Sequence, residues 1–404
     1  MTGQTAGPLT GLRIIEIGSL LAGPFAGRLA ADMGATVVKI ETPDRLDPMR
    51  TWGHGTVNGR ALWWPVLSRN KHCVTLNLRD PEGQELFLDL VRESDAIIEN
   101  FRPGTLDRWN LTFERLKEAN PRLIVVRVSG YGQTGPYADR PGFASVGEAM
   151  SGMRYLNGEP GEIPPRMGIS LGDSLAGMYA IQGLLAALYQ RDALGGDEGQ
   201  EVDVSILESC FSLLESIAPE FDALGLVREP TGPRLEGIAP SNVYRAGDGT
   251  HMVIAANKDT LFRRLCEAMG RPEMADDPRY RDHQSRGVHQ DELDEEIAAW
   301  AAQHTGEEID QLLARSGVVC GPVYTIADVF ADPQVQAREM LVEHDDPEIG
   351  TFRGPGITPR FSATPGAVRW SGPWEPGAHN TEVFGDLLAR DEETLAGLRD
   401  RGVI

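Results

Sequence analysis

Short apolar segments typical of buried strands alternate with helical patterns through the first third of the chain, and this alternation constrains the fold most. We predict strands at 12–18, 35–41, 74–78, 96–100 and 123–129. Antiparallel neighbours can be joined by a tight turn, whereas parallel strands need a longer crossover connection, which is usually a helix. The helices between these strands therefore indicate parallel pairing. We therefore expect an α/β domain with an open parallel sheet, whose ligands bind at the carboxyl ends of the strands.

The first strand–helix–strand unit is also compatible with a dinucleotide site. Glu41 ends the second predicted strand, where the acidic residue of an NAD site would stand. The glycines do not fit, because four residues separate Gly18 from Gly23 and the G-x-G-x-x-G pattern is absent. We therefore disfavour NAD as the ligand.

Charge and cysteine usage exclude several classes of protein. The 404 residues include 60 acidic and 38 basic side chains, a formal net charge of −22 that disfavours nucleic acids and anionic membranes as partners. No apolar run approaches the ~18 residues of a membrane span, and no signal-peptide pattern is present. The four cysteines are scattered without a C-x-x-C pair, as in reduced intracellular proteins. We expect a cytoplasmic protein with no metal, no nucleic acid and no membrane.

The later part of the chain predicts a smaller α+β domain. Residues 227–236 are rich in Pro, Gly and Arg, as in a linker. Residues 242–256 predict two short strands that turn at Gly247-Asp248-Gly249. Three helical patterns follow, near 261–269, 291–303 and 306–316.

Asp173 lies between Gly172 and Ser174, directly before a long apolar helical pattern. That pattern is marked by Met178, Ile181, Leu185 and Leu188, and we expect the helix to be buried. The start of a helix favours an anion, because backbone N–H groups and the positive end of the dipole meet there. Two interpretations are open: Asp173 is an N-cap that only starts the helix, or it is a nucleophile in a glycine-walled pocket.

Short motifs occur in a specific order along almost the whole chain. They are Leu20–Pro24, Val38–Glu41, Arg69–Lys71, Leu76–Leu78, Glu99–Phe101, Pro103-Gly104, Leu106–Arg108, Gly130–Gly132, Gly135-Pro136, Leu171–Asp173, Gly199–Val204 and Cys320–Val323. Each is weak alone, but in this order the chain resembles the family III CoA-transferases, the CaiB–BaiF group. The resemblance implies a Rossmann-like large domain built from residues 1–225 and 326–404, a small α+β domain at 226–325, and an interlocked homodimer.

The resemblance also implies a CoA transfer with no prosthetic group, in which the CoA thioester is a substrate. Asp173 matches the family's nucleophile, a carboxylate already ionised at neutral pH. We expect Gly172 to leave room for the thioester, and backbone N–H groups near 172–174 or in the loop 237–241 to stabilise the oxyanions. Positions that contact CoA in the family correspond to Leu20, Leu21, Ala22, Thr42, Leu76, Arg79, Asn100, Phe101 and Arg108.

Two departures from the family pattern affect the phosphate contacts. Thr42 and Gly142 stand where some members carry a basic residue. We therefore expect further phosphate contacts from Arg45, Arg69 or Lys71.

Two other functions are alternatives to CoA transfer. An α-methylacyl-CoA racemase needs a pair of bases, and its pattern carries them as Gly-His-Asp where this chain has Gly142-Phe143-Ala144. Phe143 cannot move a proton, which argues against that reaction. A non-catalytic CoA-binding protein would not need Asp173.

The substrates are predicted from resemblance to one subgroup. Residues 142–152 and 168–172 look closest to enzymes that transfer CoA from succinyl-CoA to dicarboxylates such as glutarate, citramalate or hydroxymethylglutarate. The second carboxylate of such a substrate favours an arginine partner. Arg154 and Arg166 are the candidates because they lie near Asp173 in sequence.

Overall fold

The computed structural model describes residues 7–404, which divide into two compact units. The first unit holds the described residues up to Arg154 together with Arg166–Leu224 and Ala337–Ile404. The second holds Tyr155–Pro165 and Gly225–Gln336. The segment Tyr155–Pro165, which we expected in the large domain, therefore groups with the second unit, and that unit extends past residue 325.

Strands and helices alternate through the first unit up to residue 224. The strands are β1 (Arg13–Glu16), β2 (Thr36–Glu41), β3 (Thr56–Val57), β4 (Arg60–Ala61), β5 (Lys71–Thr75), β6 (Ala96–Glu99), β7 (Ile124–Ser129) and β8 (Glu201–Ser205). The helices are α1 (Ala22–Asp32), α2 (Trp63–Leu67), α3 (Pro81–Arg92), α4 (Thr105–Arg108), α5 (Phe113–Ala119), α6 (Ala144–Met150), α7 (Leu171–Ala193), α8 (Ile206–Phe211) and α9 (Ile217–Leu224).

A six-stranded parallel sheet with the order β5-β2-β1-β6-β7-β8 forms the centre of this unit. Ile15 of β1 lies opposite Val38 of β2 and Ile97 of β6. Apolar side chains are buried on both faces of the sheet, which explains the nearly continuous apolar composition of the strands. The predicted parallel sheet is confirmed, although β5 begins at Lys71 instead of residue 74.

Helix α7 packs on α1 with close backbone contact. A Cβ atom on Gly177 would lie 2.8 Å from Cδ1 of Phe25 and 2.9 Å from the carbonyl oxygen of Ala22. The buried face of α7 consists mainly of small residues for this reason. Our expectation that Met178 and Leu185 are buried is wrong, because these larger side chains lie on the opposite, exposed face.

Among the described residues, α7 alone has the length and composition of a membrane-spanning helix. We had expected no apolar segment of that length. It has 23 residues, and 44% of its most apolar window is buried inside the protein. The core helix of a soluble protein has the same properties, and the buried face of α7 belongs to a core shared with β7 and α1. We therefore describe α7 as a core helix.

The second unit contains a three-stranded antiparallel sheet with the order β11-β10-β9 and a helical layer. Its strands are β9 (Ser241–Arg245), β10 (His251–Ala255) and β11 (Val319–Pro322). Its helices are α10 (Asp259–Ala268), α11 (His283–Val288), α12 (Gln290–Ala301), α13 (Gly306–Arg315), α14 (Ile326–Ala331) and α15 (Pro333–Ala337), the last of which ends beyond the unit. The predicted hairpin at 242–256 and the three predicted helices are confirmed.

The C-terminal part of the chain returns to the first unit and covers the edge strand β5. It contains β12 (Leu341–His344), β13 (Phe352–Pro355), a π-helical turn (Thr381–Leu387) and α16 (Glu392–Asp400). The N–H of Cys73 donates to Nδ1 of His379 at 3.0 Å, and the N–H of Thr75 donates to Oδ1 of Asn380 at 2.9 Å. These bonds satisfy an edge that would otherwise expose unpaired backbone groups.

Candidate active site

The strand order reverses between β1 and β6, and a cavity of about 160 Å³ lies at the carboxyl ends of these strands and β7. Such a switch point opens a crevice because the chain leaves neighbouring strands in opposite directions. The cavity is lined by Ser19, Leu20, Leu21, Ala22, Asn100, Phe101, Arg102, Pro103, Val128, Ser129, Gly130, Arg140, Pro141, Gly142, Phe143, Asp173 and Ile206. Asp173 is thus brought to the crevice from a distant part of the sequence.

The structure brings five of the nine predicted CoA-contact residues into this cavity. They are Leu20, Leu21, Ala22, Asn100 and Phe101. The other four, Thr42, Leu76, Arg79 and Arg108, do not line it. Thr42 and Leu76 directly follow β2 and β5 at the same edge of the sheet. Arg79 and Arg108 are exposed.

The loop after β1 is held in an unusual conformation. Leu20 has a φ of 65°, in the left-handed region that costs energy for a residue with a side chain. Asn100 fixes the loop by accepting the N–H of Ser19 at 2.9 Å and donating to its carbonyl oxygen at 2.8 Å. Oδ1 of Asp47 accepts the N–H of Leu20 at 3.1 Å. The cavity wall at this point is therefore set by side chains from two other loops.

A network of buried charges supports the same loop. Nζ of Lys39 lies 3.1 Å from Glu16 and 2.9 Å from Asp47, and it also donates to the carbonyl oxygen of Gly18. Nζ of Lys71 lies 2.7 Å from the other oxygen of Glu16. Burial alone would lower the pKa of Lys39, but the carboxylates of Asp47 and Glu16 outweigh it and raise the pKa.

Two of the three alternative phosphate ligands that we proposed do not fit that role. Lys71 is fully buried in the network around Glu16. Arg69 is fully buried as well and forms a two-point ion pair with Asp32, with its shorter N–O distance at 2.6 Å. Arg45 is exposed and forms a β-bridge with Thr42. Its contact with a CoA phosphate stays a prediction.

Asp173 is the third residue of α7 and not its N-cap, which is Ser170. Burial raises the pKa of Asp173 to about 6, and the carboxylate of Glu148 adds to this effect. Oε1 of the buried Glu148 accepts the N–H of Gly172 at 2.9 Å. The carboxyl group of Asp173 therefore lies at the positive end of a helix but has a negative neighbour.

Gly172 also has a packing role. A Cβ atom there would lie 3.2 Å from the carbonyl oxygen of Ala144 and 3.2 Å from Cγ2 of Ile206. The missing side chain thus allows the start of α7 to pack closely on α6 and α8.

Comparison with known proteins identifies the family. Residues 9–380 match the model of CoA-transferase family III. The chain belongs to this family. The succinyl-CoA–D-citramalate CoA-transferase of Chloroflexus aurantiacus is 50% identical over 397 residues, which cover 98% of each chain. The beta subunit of the succinyl-CoA–L-malate CoA-transferase of the same organism is 39% identical over 98% of each chain. A crystal structure of a CaiB/BaiF family protein from Brucella suis matches with a TM-score of 0.83 and 33% identity, covering 95% of this chain and 100% of that one.

The cavity of this CoA-transferase lacks the groups that racemase chemistry needs. Phe143 lines the cavity with an exposed ring, and the neighbouring Ala144 is buried. No histidine occurs among the described residues that line the cavity. The described residues that line this cavity therefore do not include the histidine–aspartate pair of the racemase pattern.

The two arginines predicted to bind the substrate do not line the cavity. Arg166 is exposed, and its guanidinium donates to the carbonyl oxygens of Met167 and Ile169, each at 3.0 Å. Arg154 is half-buried, and its backbone N–H donates to the carbonyl oxygen of Glu148 at 3.0 Å. Their role in substrate binding stays a prediction from the sequence.

Sequence reasoning missed Glu148, which lies next to Asp173. It also missed two arginines that do line the cavity, Arg102 and Arg140. A signal existed for Arg102, because it directly follows the matched Glu99–Phe101 motif at the end of a strand. A signal existed for Glu148 as well, because it is the one charged residue of the helix Ala144–Met150.

A cluster of possible metal ligands lies elsewhere in the first unit. His72, His379 and Glu382 each bring a ligand atom within 4.8 Å of the others, whereas we predicted no metal. Because Nδ1 of His379 accepts the N–H of Cys73, a neutral ring carries its proton on Nε2, which blocks that nitrogen as a ligand. His379 thus serves to hold the C-terminal segment on β5, and we assign no ion to the cluster.

Proposed function

We propose that this CoA-transferase moves CoA from succinyl-CoA to a hydroxylated dicarboxylic acid such as citramalate or malate, with Asp173 as the covalent nucleophile. The observation that carries the proposal is a carboxylate with a raised pKa in the crevice at the switch point of the sheet. The substrates named for the two Chloroflexus relatives support the choice of donor and acceptor. Glutarate and hydroxymethylglutarate are further candidate acceptors.

The proposed reaction proceeds in four steps. The Asp173 carboxylate attacks the donor thioester, the C–S bond breaks, and a mixed anhydride and CoA thiolate result. The thiolate then attacks the aspartyl carbonyl, which forms an aspartyl-CoA thioester and releases succinate. The acceptor carboxylate attacks the aspartyl carbonyl of this thioester, the C–S bond breaks, and a second mixed anhydride and CoA thiolate result. The thiolate finally attacks the acceptor acyl carbon, so that the new thioester leaves and Asp173 is restored.

The cavity offers groups for each part of the substrates. Leu20, Leu21 and Phe101 supply apolar contacts for the pantetheine arm, whereas Arg102 and Arg140 supply positive charge for phosphate or for the second carboxylate of the acid. Thr42, Leu76, Arg79 and Arg108 extend this site along the same edge of the sheet toward the nucleotide. Backbone N–H groups at the start of α7 are the proposed oxyanion donors.

We further propose that two copies of the chain form the interlocked homodimer implied by the family, in the cytoplasm. Met178, Leu185 and Tyr189 recur on one face of α7 and are exposed in the single chain. Phe211, Phe221 and Leu224 add exposed apolar side chains on α8 and α9. Exposed apolar side chains of this kind favour association. Light scattering after size exclusion tests this proposal, and the mass of a single chain would contradict it.

The test of the activity is a transfer assay with succinyl-CoA and a panel of acids. The panel contains both enantiomers of citramalate and malate, then glutarate, hydroxymethylglutarate, acetate and butyrate. We expect transfer to the dicarboxylates and little to the monocarboxylates. Transfer to monocarboxylates alone would contradict the substrate assignment.

The test of the mechanism is intact-mass spectrometry of enzyme incubated with succinyl-CoA and no acceptor. We expect a CoA adduct that maps to a peptide containing Asp173 and is absent from the Asp173→Ala variant. An active enzyme that never shows the adduct would contradict the covalent path. CoA binding by Asp173→Ala without transfer separates a catalyst from a protein that only binds CoA.

A further inference from the structure

We propose that Glu148 is a positioning residue for the nucleophile: it holds the first turn of α7 and opposes the charge of Asp173 until that charge is lost on acylation. This inference rests on the proposed role of Asp173. Glu148 lies on α6, in a part of the chain that the CoA-contact motifs do not include. No role in the reaction follows for it from the mechanism above.

The contacts of Glu148 fix its position relative to Asp173. Its side chain is 4% exposed, and Oε1 accepts the N–H of Gly172 at 2.9 Å. Gly172 is the second residue of α7, whose N–H has no acceptor within the helix, and Ser170 at the N-cap makes no side-chain hydrogen bond. Glu148 therefore caps α7 from another helix, and the N–H that it caps belongs to the residue directly before the nucleophile.

The backbone of Glu148 is held as closely as its side chain. A Cβ atom on the preceding Gly147 would lie 2.7 Å from Cγ2 of Ile206, so α6 and α8 are in direct contact there. The carbonyl oxygen of Glu148 accepts the hydroxyl of Ser151 and the N–H of Arg154, each at 3.0 Å. A shift of Glu148 away from the negative charge of Asp173 would break these contacts.

The other charged and titratable groups near Asp173 come from three elements. Arg102 follows β6 and Arg140 follows β7, and both line the cavity. Cys210 of α8 is the third group, and burial raises the pKa of its thiol to about 11, with Glu148 and Asp173 adding to the effect. The thiol is therefore uncharged at neutral pH, and Glu148 is the anion that Asp173 faces.

The chemistry gives this repulsion a purpose. When the Asp173 oxygen bonds to the acyl carbon and the C–S bond breaks, the negative charge moves from the carboxylate to the departing thiolate. No proton is transferred in this step. The anhydride and the aspartyl-CoA thioester are uncharged at residue 173, so the repulsion from Glu148 acts on the free carboxylate and not on either intermediate. A charged Glu148 thus favours the acylated states, and it also makes the carboxylate more basic.

Two variants separate the charge from the hydrogen bond. Glu148→Gln keeps an oxygen that accepts the N–H of Gly172 but removes the charge, whereas Glu148→Ala removes both. The readouts are the pH dependence of kcat/KM between pH 4.5 and 8, with both substrates, and the fraction of enzyme present as the Asp173 adduct with donor alone. Circular dichroism establishes that each variant is folded.

For Glu148→Gln we expect the acidic limb of the kcat/KM profile to move down by up to about one pH unit. The adduct fraction at a fixed ratio of succinyl-CoA to succinate should fall by up to about tenfold, because one pKa unit corresponds to a factor of ten. The KM for succinyl-CoA should change little. Glu148→Ala should lose more kcat than Glu148→Gln, so that the conservative variant rescues the positioning part of the role.

The outcomes distinguish this inference from the proposed function. If wild-type enzyme forms the adduct and Glu148→Gln shows the same acidic limb and the same adduct fraction, the inference is overturned and the nucleophile stands. If wild-type enzyme transfers CoA without any adduct, or if Asp173→Ala retains transfer, the proposed nucleophile itself is wrong. A Glu148→Gln profile shifted upward would also overturn the inference, because the charge would then stabilise the Asp173 anion.

Discussion

Two carboxylates of the first unit, the fully buried Glu16 and the half-buried Asp173, differ in how their negative charge is balanced. Glu16 is fully buried, and its two oxygens lie 3.1 Å from Nζ of Lys39 and 2.7 Å from Nζ of Lys71. Asp173 has instead the like charge of Glu148 as its neighbour, and its pKa is raised to about 6 by burial and by that charge. Both groups lose hydration on folding, but only Glu16 gains close cations in return.

In the proposed mechanism, this difference separates a structural carboxylate from a reactive one. A buried ion removed from its partner is destabilising by several kcal/mol, so the charges around Glu16 depend on one another. A buried carboxylate without a cation is higher in energy and gains by forming an uncharged covalent state. The contrast predicts opposite consequences when each charge is removed.

The largest expected effect is the loss of catalysis when Asp173 is changed. Asp173→Ala and Asp173→Asn should lower kcat by at least about 10³-fold, because no covalent intermediate can form. The measurement is steady-state transfer from succinyl-CoA to citramalate. Asp192→Asn is the matched control, since it removes an acid near the other end of the same helix, and it should keep near-normal activity. Equal losses in both variants would contradict the distinction.

The next effect is on stability. Lys39→Met should lower the free energy of unfolding by about 3–5 kcal/mol, because it leaves both Glu16 and Asp47 short of a buried cation. Urea unfolding followed by circular dichroism measures this loss. Lys117→Met breaks an exposed pair with Glu198 and should leave the unfolding midpoint unchanged within error. A similar loss in the two variants would show that burial is not the deciding factor.

Much of the fold followed from local patterns, whereas the charge pairing did not. Each strand of the parallel sheet up to β7 was visible as an apolar run between helical patterns, since both faces of the sheet are buried. Asp173, Leu20 and Asn100 came from the resemblance to the family. The burial of Lys71 and Arg69 was not predictable, because their partners Glu16 and Asp32 lie on distant segments of the chain. Their charges alone suggested phosphate ligands.

The outward orientation of Met178 and Leu185 was missed for a related reason. An apolar helix predicts burial, but it does not say which face meets α1. The close approach at Gly177 requires a small residue at the contact with α1, and Met178 and Leu185 lie on the exposed face while Leu184 is buried. Glu148 could have been singled out as the one charged residue of α6, but its contact with the backbone N–H of Gly172 has no sequence signature.

A smaller effect, of opposite sign to that at Lys39, is expected for the stability of Asp173→Asn. The folded pKa of about 6 lies above the ordinary aspartate value of 3.8, so wild-type protein loses stability as pH rises through this window and carries the full penalty above it. Asp173→Asn should therefore be more stable than wild type at pH 8, by up to about 3 kcal/mol, and nearly equal to it at pH 4. Thermal unfolding at the two pH values measures the difference. Glu16→Gln is the matched comparison and should destabilise at pH 8, so a gain in both variants would mean that the charge at Glu16 is not compensated.

The smallest effect is expected where the charge is exposed and its partner is weak. Arg79 is half exposed, and its guanidinium lies 3.5 Å from Asp44, so Arg79→Ala should leave the unfolding midpoint unchanged. If Arg79 binds a CoA phosphate, the KM for succinyl-CoA should rise about three- to tenfold, and the difference from wild type should shrink at high salt, because exposed charges are screened. Arg92→Ala, which removes a comparably exposed arginine from the end of α3, is the control and should not alter KM. A KM for Arg79→Ala equal to that of the control would place the phosphates elsewhere, and the cavity arginines Arg102 and Arg140 would then carry the electrostatic part of CoA binding.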